Sequence, residues 1–165
     1  MSGKLKEIKV RIKAVNETQQ ITKAMKMVSA AKLRRAQDAI IQMRPYSDKL
    51  KSILNNILLS LEGDMDLELS NERTINNVLI VLITSDRGLC GSFNSNLIKK
   101  SQHILENKYN QQYKDGNYTI LNVGKKGYDF YNKRHGKVIS DHVGLFGKLN
   151  FNNSSEIAEF IMQSF

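Results

Sequence analysis

An α/β protein, with a long amino-terminal coiled-coil helix ahead of an incomplete parallel-sheet domain, is what the pattern of these 165 residues predicts. Three observations carry the prediction. One heptad register of apolar residues runs from Leu5 to Leu61. Strand-like and helix-like segments alternate after it. The entire net charge of +9 sits on the first 60 residues. A 41% hydrophobic chain with ten glycines and one proline is neither collagenous nor wholly disordered. Its length gives room for one domain with a substantial core, not two.

The heptad register comes first. Taking every third and fourth residue gives Leu5, Ile8, Ile12, Val15, Gln19, Thr22, Lys26, Ser29, Leu33, Ala36, Ile40, Met43, Ser47, Leu50, Leu54, Ile57 and Leu61, without an insertion. A surface helix needs no register held for eight heptads, whereas one strand of a left-handed coiled coil does. At about 1.5 Å per residue such a helix is a rod on the order of 85 Å long. Pro45 removes a backbone hydrogen bond and crowds the preceding turn, which predicts a kink near Arg44; the seam resumes in the same register at Leu50, which predicts one helix rather than two.

Four consecutive seats, Gln19, Thr22, Lys26 and Ser29, are not apolar. Around them Ile21, Ala24, Met25, Met27, Val28, Ala30 and Ala31 carry apolar side chains onto other faces. A helix that turns apolar off its seam contacts something besides its coiled-coil partner, either its own domain or another protein.

Residues 1–60 hold thirteen Lys and Arg against Glu7, Glu17, Asp38 and Asp48, while residues 61–165 hold twelve charges of each sign. The amino-terminal segment therefore seeks an acidic partner: nucleic acid, an anionic lipid surface or an acidic protein. Lys23, Lys26, Lys32, Arg34 and Arg35 are able to grip phosphates, or simply to solvate a helix face. No cluster of base-reading side chains lies on one face.

The remainder reads as a second domain, residues 62–165 against 1–61. Glu62 to Glu72 is an acidic loop. Asn77 to Thr84 is a continuous branched-chain run, the pattern of a fully buried strand. A turn rich in small residues follows, then a helix from about Ser95 to Tyr109 and a polar break at Lys114 to Asn117. Tyr118 to Val123 is a second strand, Lys126 to Lys133 a short helix, and Val138 to Val143 a weaker third strand. Asn153 with Glu156 three residues on predicts the capped start of a last helix running to Phe165. Such alternation gives a parallel sheet with crossover helices, a Rossmann-like layer. The last helix reaches Phe165 without a stop signal, so the sequence reads as cut off.

Candidate chemistry is sparse. Gly88 and Gly91 form only a GxxG after the first strand, short of the dinucleotide and P-loop patterns, so a tight structural turn is expected there. Cys90 reads as a buried structural thiol, and a lone cysteine makes no internal disulfide. His103, His135 and His142 lack metal-ligand spacing. No catalytic constellation, metal site, cofactor site or membrane-spanning run is expected.

Three stretches carry a resemblance. Val15 to Gln37 (VNETQQITKAMKMVSAAKLRRAQ), followed by Arg44, Pro45 and Tyr46, resembles the amino-terminal helix of the gamma subunit family of rotary F-type ATP synthases. Ser85 to Asn96 (SDRGLCGSFNSN) resembles that family's signature turn, and Val123 to Tyr131 (VGKKGYDFY) a later family segment. The resemblance implies a non-catalytic central shaft that couples proton-driven rotation to ATP synthesis. It further implies an antiparallel coiled coil with the family's own carboxy-terminal helix, a Rossmann-like domain at the foot, and no bound cofactor. Implied partners are the alpha and beta subunits of the head, the epsilon subunit and the membrane rotor ring, at the cytoplasmic face of a bacterial membrane, with no nucleic acid. Met25, Lys26, Val28, Arg34, Arg35 and Arg87 are the implied contacts with acidic levers of beta; Leu5, Ile8, Ile12, Val15, Leu33, Ile40, Met43, Leu50, Leu54 and Ile57 form the expected seam. The family chain continues past Phe165, so the resemblance also implies a fragment. Two rivals remain: a nucleic-acid-binding protein using the basic helix, and a small Rossmann-like enzyme with a pocket beside Gly88 to Gly91.

Overall fold

A computed structural model of the chain describes residues 2–60, 73–134, 137–147 and 149–165. The chain divides into two units, Met1–Met65 and Asp66–Phe165. The seat at Leu61 and the acidic stretch from Glu62 to Glu72 lie outside the described residues, as does His135.

The first unit is one helix, α1, Ser2–Ser60, 59 residues long with Pro45 inside it. At about 1.5 Å rise per residue it extends for about 89 Å. It continues on both sides of Pro45, so the expectation of one helix rather than two holds. Its polar residues turn inward along their own backbone: the Thr18 and Thr22 hydroxyls donate to the carbonyls of Ala14 and Thr18, both at 2.8 Å. Every side chain described from Gly3 to Ser60 is exposed. An isolated helix draws little from propensity alone, so burial of an apolar face is what stabilises one of this length.

The second unit is a three-stranded parallel sheet in the order β1-β2-β3, with β1 at Val78–Ile83, β2 at Tyr118–Val123 and β3 at Lys137–Ile139. β1 and β2 align from Val78 opposite Tyr118 to Ile83 opposite Val123, and β3 joins with Val138 opposite Ile120. Successive side chains point to opposite faces, and each face collects its own core. Leu82 and Ile120 pack with Ile98, Leu105 and Tyr131 on one face; Leu121 and Val123 pack with Ile157 on the other. Helices α2 (Phe93–His103) and α4 (Lys125–Tyr131) thus cover one face and α5 (Phe151–Ser164) the other, as in a doubly wound sheet. The α/β expectation stands.

Several boundaries move. β1 is not fully buried: Val78 to Val81 are half-buried and Ile83 is exposed, because among the described residues β1 pairs with β2 alone, whereas β2 has a neighbour on each side. The helix expected from Ser95 begins at Phe93, and the last helical residue is Lys114, at the expected polar break. It passes into a π-helical turn, Ile104–Lys108, and bends at Tyr109 (φ −122°, ψ 39°), where the helix is expected to end; a short α3, Asn110–Lys114, follows before Asp115 and Gly116 turn the chain. The third strand ends at Ile139; Val143 instead donates to the Ser140 carbonyl in a turn, and a 3₁₀ turn follows at Leu145–Gly147. α5 is capped three residues earlier than expected. Asn150, in extended conformation, accepts the Asn153 N–H at 2.9 Å, so Asn153 and Glu156 are not the capping pair.

Candidate functional site

The expected contact residues fall into three places. Met25, Lys26, Val28, Arg34 and Arg35 stand on α1 and are all exposed. At about 100° per residue, Ile21, Met25, Val28, Lys32 and Arg35 follow the i, i+4, i+7 spacing and share one stripe. It runs from apolar at its amino end to basic at its carboxy end. Lys26 lies about 100° away from Met25, in line with the seam seats Thr22, Ser29 and Leu33, and Arg34 projects about 100° from Arg35. Helical geometry therefore brings Met25, Val28 and Arg35 together and sends Lys26 and Arg34 to other faces.

The seam residues Leu5, Ile8, Ile12, Val15, Leu33, Ile40, Met43, Leu50, Leu54 and Ile57 are exposed without exception, between 48% and 63%. A strict seven-residue repeat drifts by about 20° per heptad on a straight helix, so this stripe winds slowly round α1 in the manner a left-handed supercoil follows. Lys13 and Glu17, 4.0 Å apart, are an exposed i,i+4 pair of little energetic weight. The basic side chains of α1 are otherwise unengaged by any ion pair among the described residues, which leaves the positive field of the helix directed outward.

Arg87 belongs to the second unit, in the turn after β1, and is exposed. Side chains hold the turn around it. The Ser85 N–H donates to Asn94 Oδ1 at 3.0 Å, Asn94 Nδ2 donates to Ser85 Oγ at 2.8 Å, and the Ser85 hydroxyl donates to the Arg87 carbonyl at 2.5 Å. Leu89 and Gly91 both adopt positive φ, 63° and 59°, which lets the chain double back into α2. This is the tight structural turn expected. Cys90 departs from expectation: it is exposed, with Sγ accepting from Asn94 Nδ2 at 3.1 Å, because the loop turns its tip outward.

A joint that sequence reasoning missed lies beneath that turn. Thr84, buried at the end of β1, accepts the Gly127 N–H at 2.8 Å and donates to the Gly124 carbonyl at 3.2 Å; Asp86 accepts the Lys125 N–H at 3.0 Å. A Cβ at Gly124, φ 108°, would come within 2.0 Å of the Thr84 carbonyl oxygen. One at Gly127 would meet Asn122 Oδ1 at 2.7 Å. The turn at Ser85 to Asn96 and the segment at Val123 to Tyr131 are thus two halves of one joint. Its sequence signal is the pair of glycines three apart directly after a strand.

Tyr131 packs beside this joint with its hydroxyl 2.7 Å from Ser101 Oγ. Burial raises its pKa, and the Ser101 hydrogen bond opposes part of that shift. Among the described residues no group of three His, Cys, Asp or Glu is placed to share a metal ion, and no helix is long and apolar enough to cross a membrane. The first unit offers a long exposed apolar seam and an apolar-to-basic stripe, and the second, separately, a hydrogen-bonded turn bearing the exposed Arg87.

A family model described as ATP synthase matches residues 4–165. The ATP synthase gamma chain of Chlorobaculum parvum is 46% identical over 161 residues, covering 98% of this chain and 55% of its own length. That of Cytophaga hutchinsonii is 46% identical with the same coverage, and that of Chloroherpeton thalassium 44% identical over 155 residues, covering 94% and 51%. The chain spans about half the length of the curated relatives it matches.

Proposed function

Since the chain belongs to the ATP synthase gamma-chain family, we propose that it forms the amino-terminal part of that enzyme's central shaft, coupling proton-driven rotation to ATP synthesis on beta. The observation that carries this reading is α1: a single helix of 59 residues, exposed along its length and bearing the whole net charge of the chain. A shaft needs length, stiffness and a surface that several stations meet in turn. A broad apolar stripe with diffuse positive charge meets that need, because one deep directional lock would favour a single angular position over the others.

In this reading the seam takes the family's carboxy-terminal helix, and the stripe of Met25, Val28 and Arg35 meets acidic levers of beta. Lys26, Arg34 and Arg87 make further contacts at other angular positions. The alpha and beta subunits surround the shaft, while the epsilon subunit and rotor ring meet the α/β unit. The chain is peripheral to the membrane through the complex, on the cytoplasmic face in a bacterium, and makes and breaks no bond itself.

Charge reversal tests this. In the complete subunit assembled into the holoenzyme, Arg34→Glu with Arg35→Glu is expected to lower ATP-driven proton pumping per ATP hydrolysed, through lost attraction to beta. Unchanged pumping refutes the assigned contacts. The nucleic-acid alternative predicts duplex binding that weakens steeply with salt, which a titration between about 50 and about 200 mM salt detects.

A further inference from the structure

At the amino end of β2 lies a cavity of about 360 Å³, on the side of the sheet that α2 and α4 cover, lined by Leu105, Tyr113, Tyr118, Tyr131, Lys133 and Arg134 together with the Gln102 amide. It lies away from the carboxyl ends of the strands, where open α/β sheets ordinarily bind ligands. None of the contact residues assigned to the shaft lines it.

Four features give it chemistry. The rings of Tyr113 and Tyr118 stand 5.2 Å apart and tilted by 45°, and both residues line the cavity. The Arg134 guanidinium is already held: it stacks on the Phe130 ring at 3.9 Å and one N–H donates to the Phe130 carbonyl at 3.3 Å. Such a fork loses less freedom when its other N–H groups engage an anion. Leu105 sits in the π-helical turn and lines the cavity with Gln102 and Tyr113; π-turns of this kind recur at functional sites. Tyr131 supplies a buried hydroxyl paired with Ser101. Glu106 bears electrostatically on Tyr131, and Lys133 and Arg134 outnumber it. The volume falls at the small end of the range of about 300 to 1,000 Å³ typical of small-molecule pockets.

We infer that this cavity is a binding site for a nucleoside monophosphate, its base against Tyr113 and Tyr118 and its phosphate on Arg134 and Lys133. A flat ring and a dianion carried by one small molecule match aromatic rings and cations lining one small cavity. Affinity comes from the two together, since stacking at a half-open site and a surface charge pair are each weak alone.

Calorimetric titration of the chain with adenosine 5′-monophosphate tests the inference, with adenosine and inorganic phosphate as separate probes. Saturable binding of the monophosphate, tighter than either half, is expected. Arg134→Gln is expected to weaken the monophosphate about tenfold and leave adenosine unchanged, as loss of one charge-assisted contact does. Tyr113→Leu is expected to weaken monophosphate and adenosine alike. Both residues are exposed, and unchanged circular dichroism checks that the variants fold. Absence of saturable binding, or binding that neither substitution alters, overturns it.

Discussion

Gly124 is the residue whose identity the backbone dictates most strictly. Its φ of 108° disfavours any L side chain, and a Cβ there would overlap the Thr84 carbonyl oxygen at 2.0 Å. Both effects act in the folded state only, so Gly124→Ala is expected to destabilise the α/β unit by about 2 to 3 kcal/mol, measured by urea unfolding. Gly88 is the control. Nothing lies within 4 Å of a Cβ built there and its φ carries no strain, so Gly88→Ala is expected to stay within about 0.5 kcal/mol of the parent. A similar loss for both would mean that the joint between Thr84 and α4 is not what the glycine serves. The same joint contains Asn122, fully buried, with neither side-chain polar atom hydrogen-bonded. Burying that amide without a partner costs stability, while the hydrogen bonds across the joint come from Thr84 and Asp86.

Helix caps separate two interpretations of the same sequence. Asn150 and Asn153 are both good amino-terminal caps by type, and the Glu156 that follows Asn153 favours Asn153 on pattern alone. The backbone chooses Asn150, whose extended conformation points its side chain at the Asn153 N–H. Asn150→Ala is expected to cost about 1 kcal/mol, read from thermal melts of the variant and its parent. The same competition explains what is legible elsewhere. β2 is readable to the residue because Tyr118 to Val123 is bounded by Asn117 and Gly124, and because two neighbours bury it as its pattern demands. β3 is overread to Val143 because that one apolar residue is counted into the strand, although Ser140, Asp141 and His142 break the pattern after Ile139 and the chain turns from Ser140 to Val143. The π-turn at Ile104–Lys108 leaves no mark in a 3.6-residue period; the pattern ends the helix at Tyr109, where the backbone does bend, and does not show the short α3 beyond it. On α1 the seam seats follow directly from the heptad. The sharing of one stripe by Met25, Val28 and Arg35 is equally available from spacing, and the family likeness, which supplies single residues, does not express it.

Over the whole chain, two opposed forces act on one helix. The seam exposes ten apolar side chains that gain by meeting another apolar surface, at roughly 25 cal/mol for each Å² removed from water. The same 60 residues carry a net charge of +9, and bringing two such helices together sets like charges side by side. Salt decides which wins, because it screens the repulsion and leaves apolar burial intact: the Debye length falls from about 10 Å at 0.1 M to about 3 Å at 1 M. The 165-residue chain is therefore expected to self-associate increasingly as sodium chloride rises over that range, read as a concentration-dependent gain in mass by sedimentation equilibrium. Leu50→Glu with Ile12→Glu, which places charge on the seam, is expected to abolish the gain. Association that instead weakens with salt would mean that charge pairs rather than the apolar seam hold the copies together. In that case α1 would not be the apolar surface that a shaft helix presents to its partner.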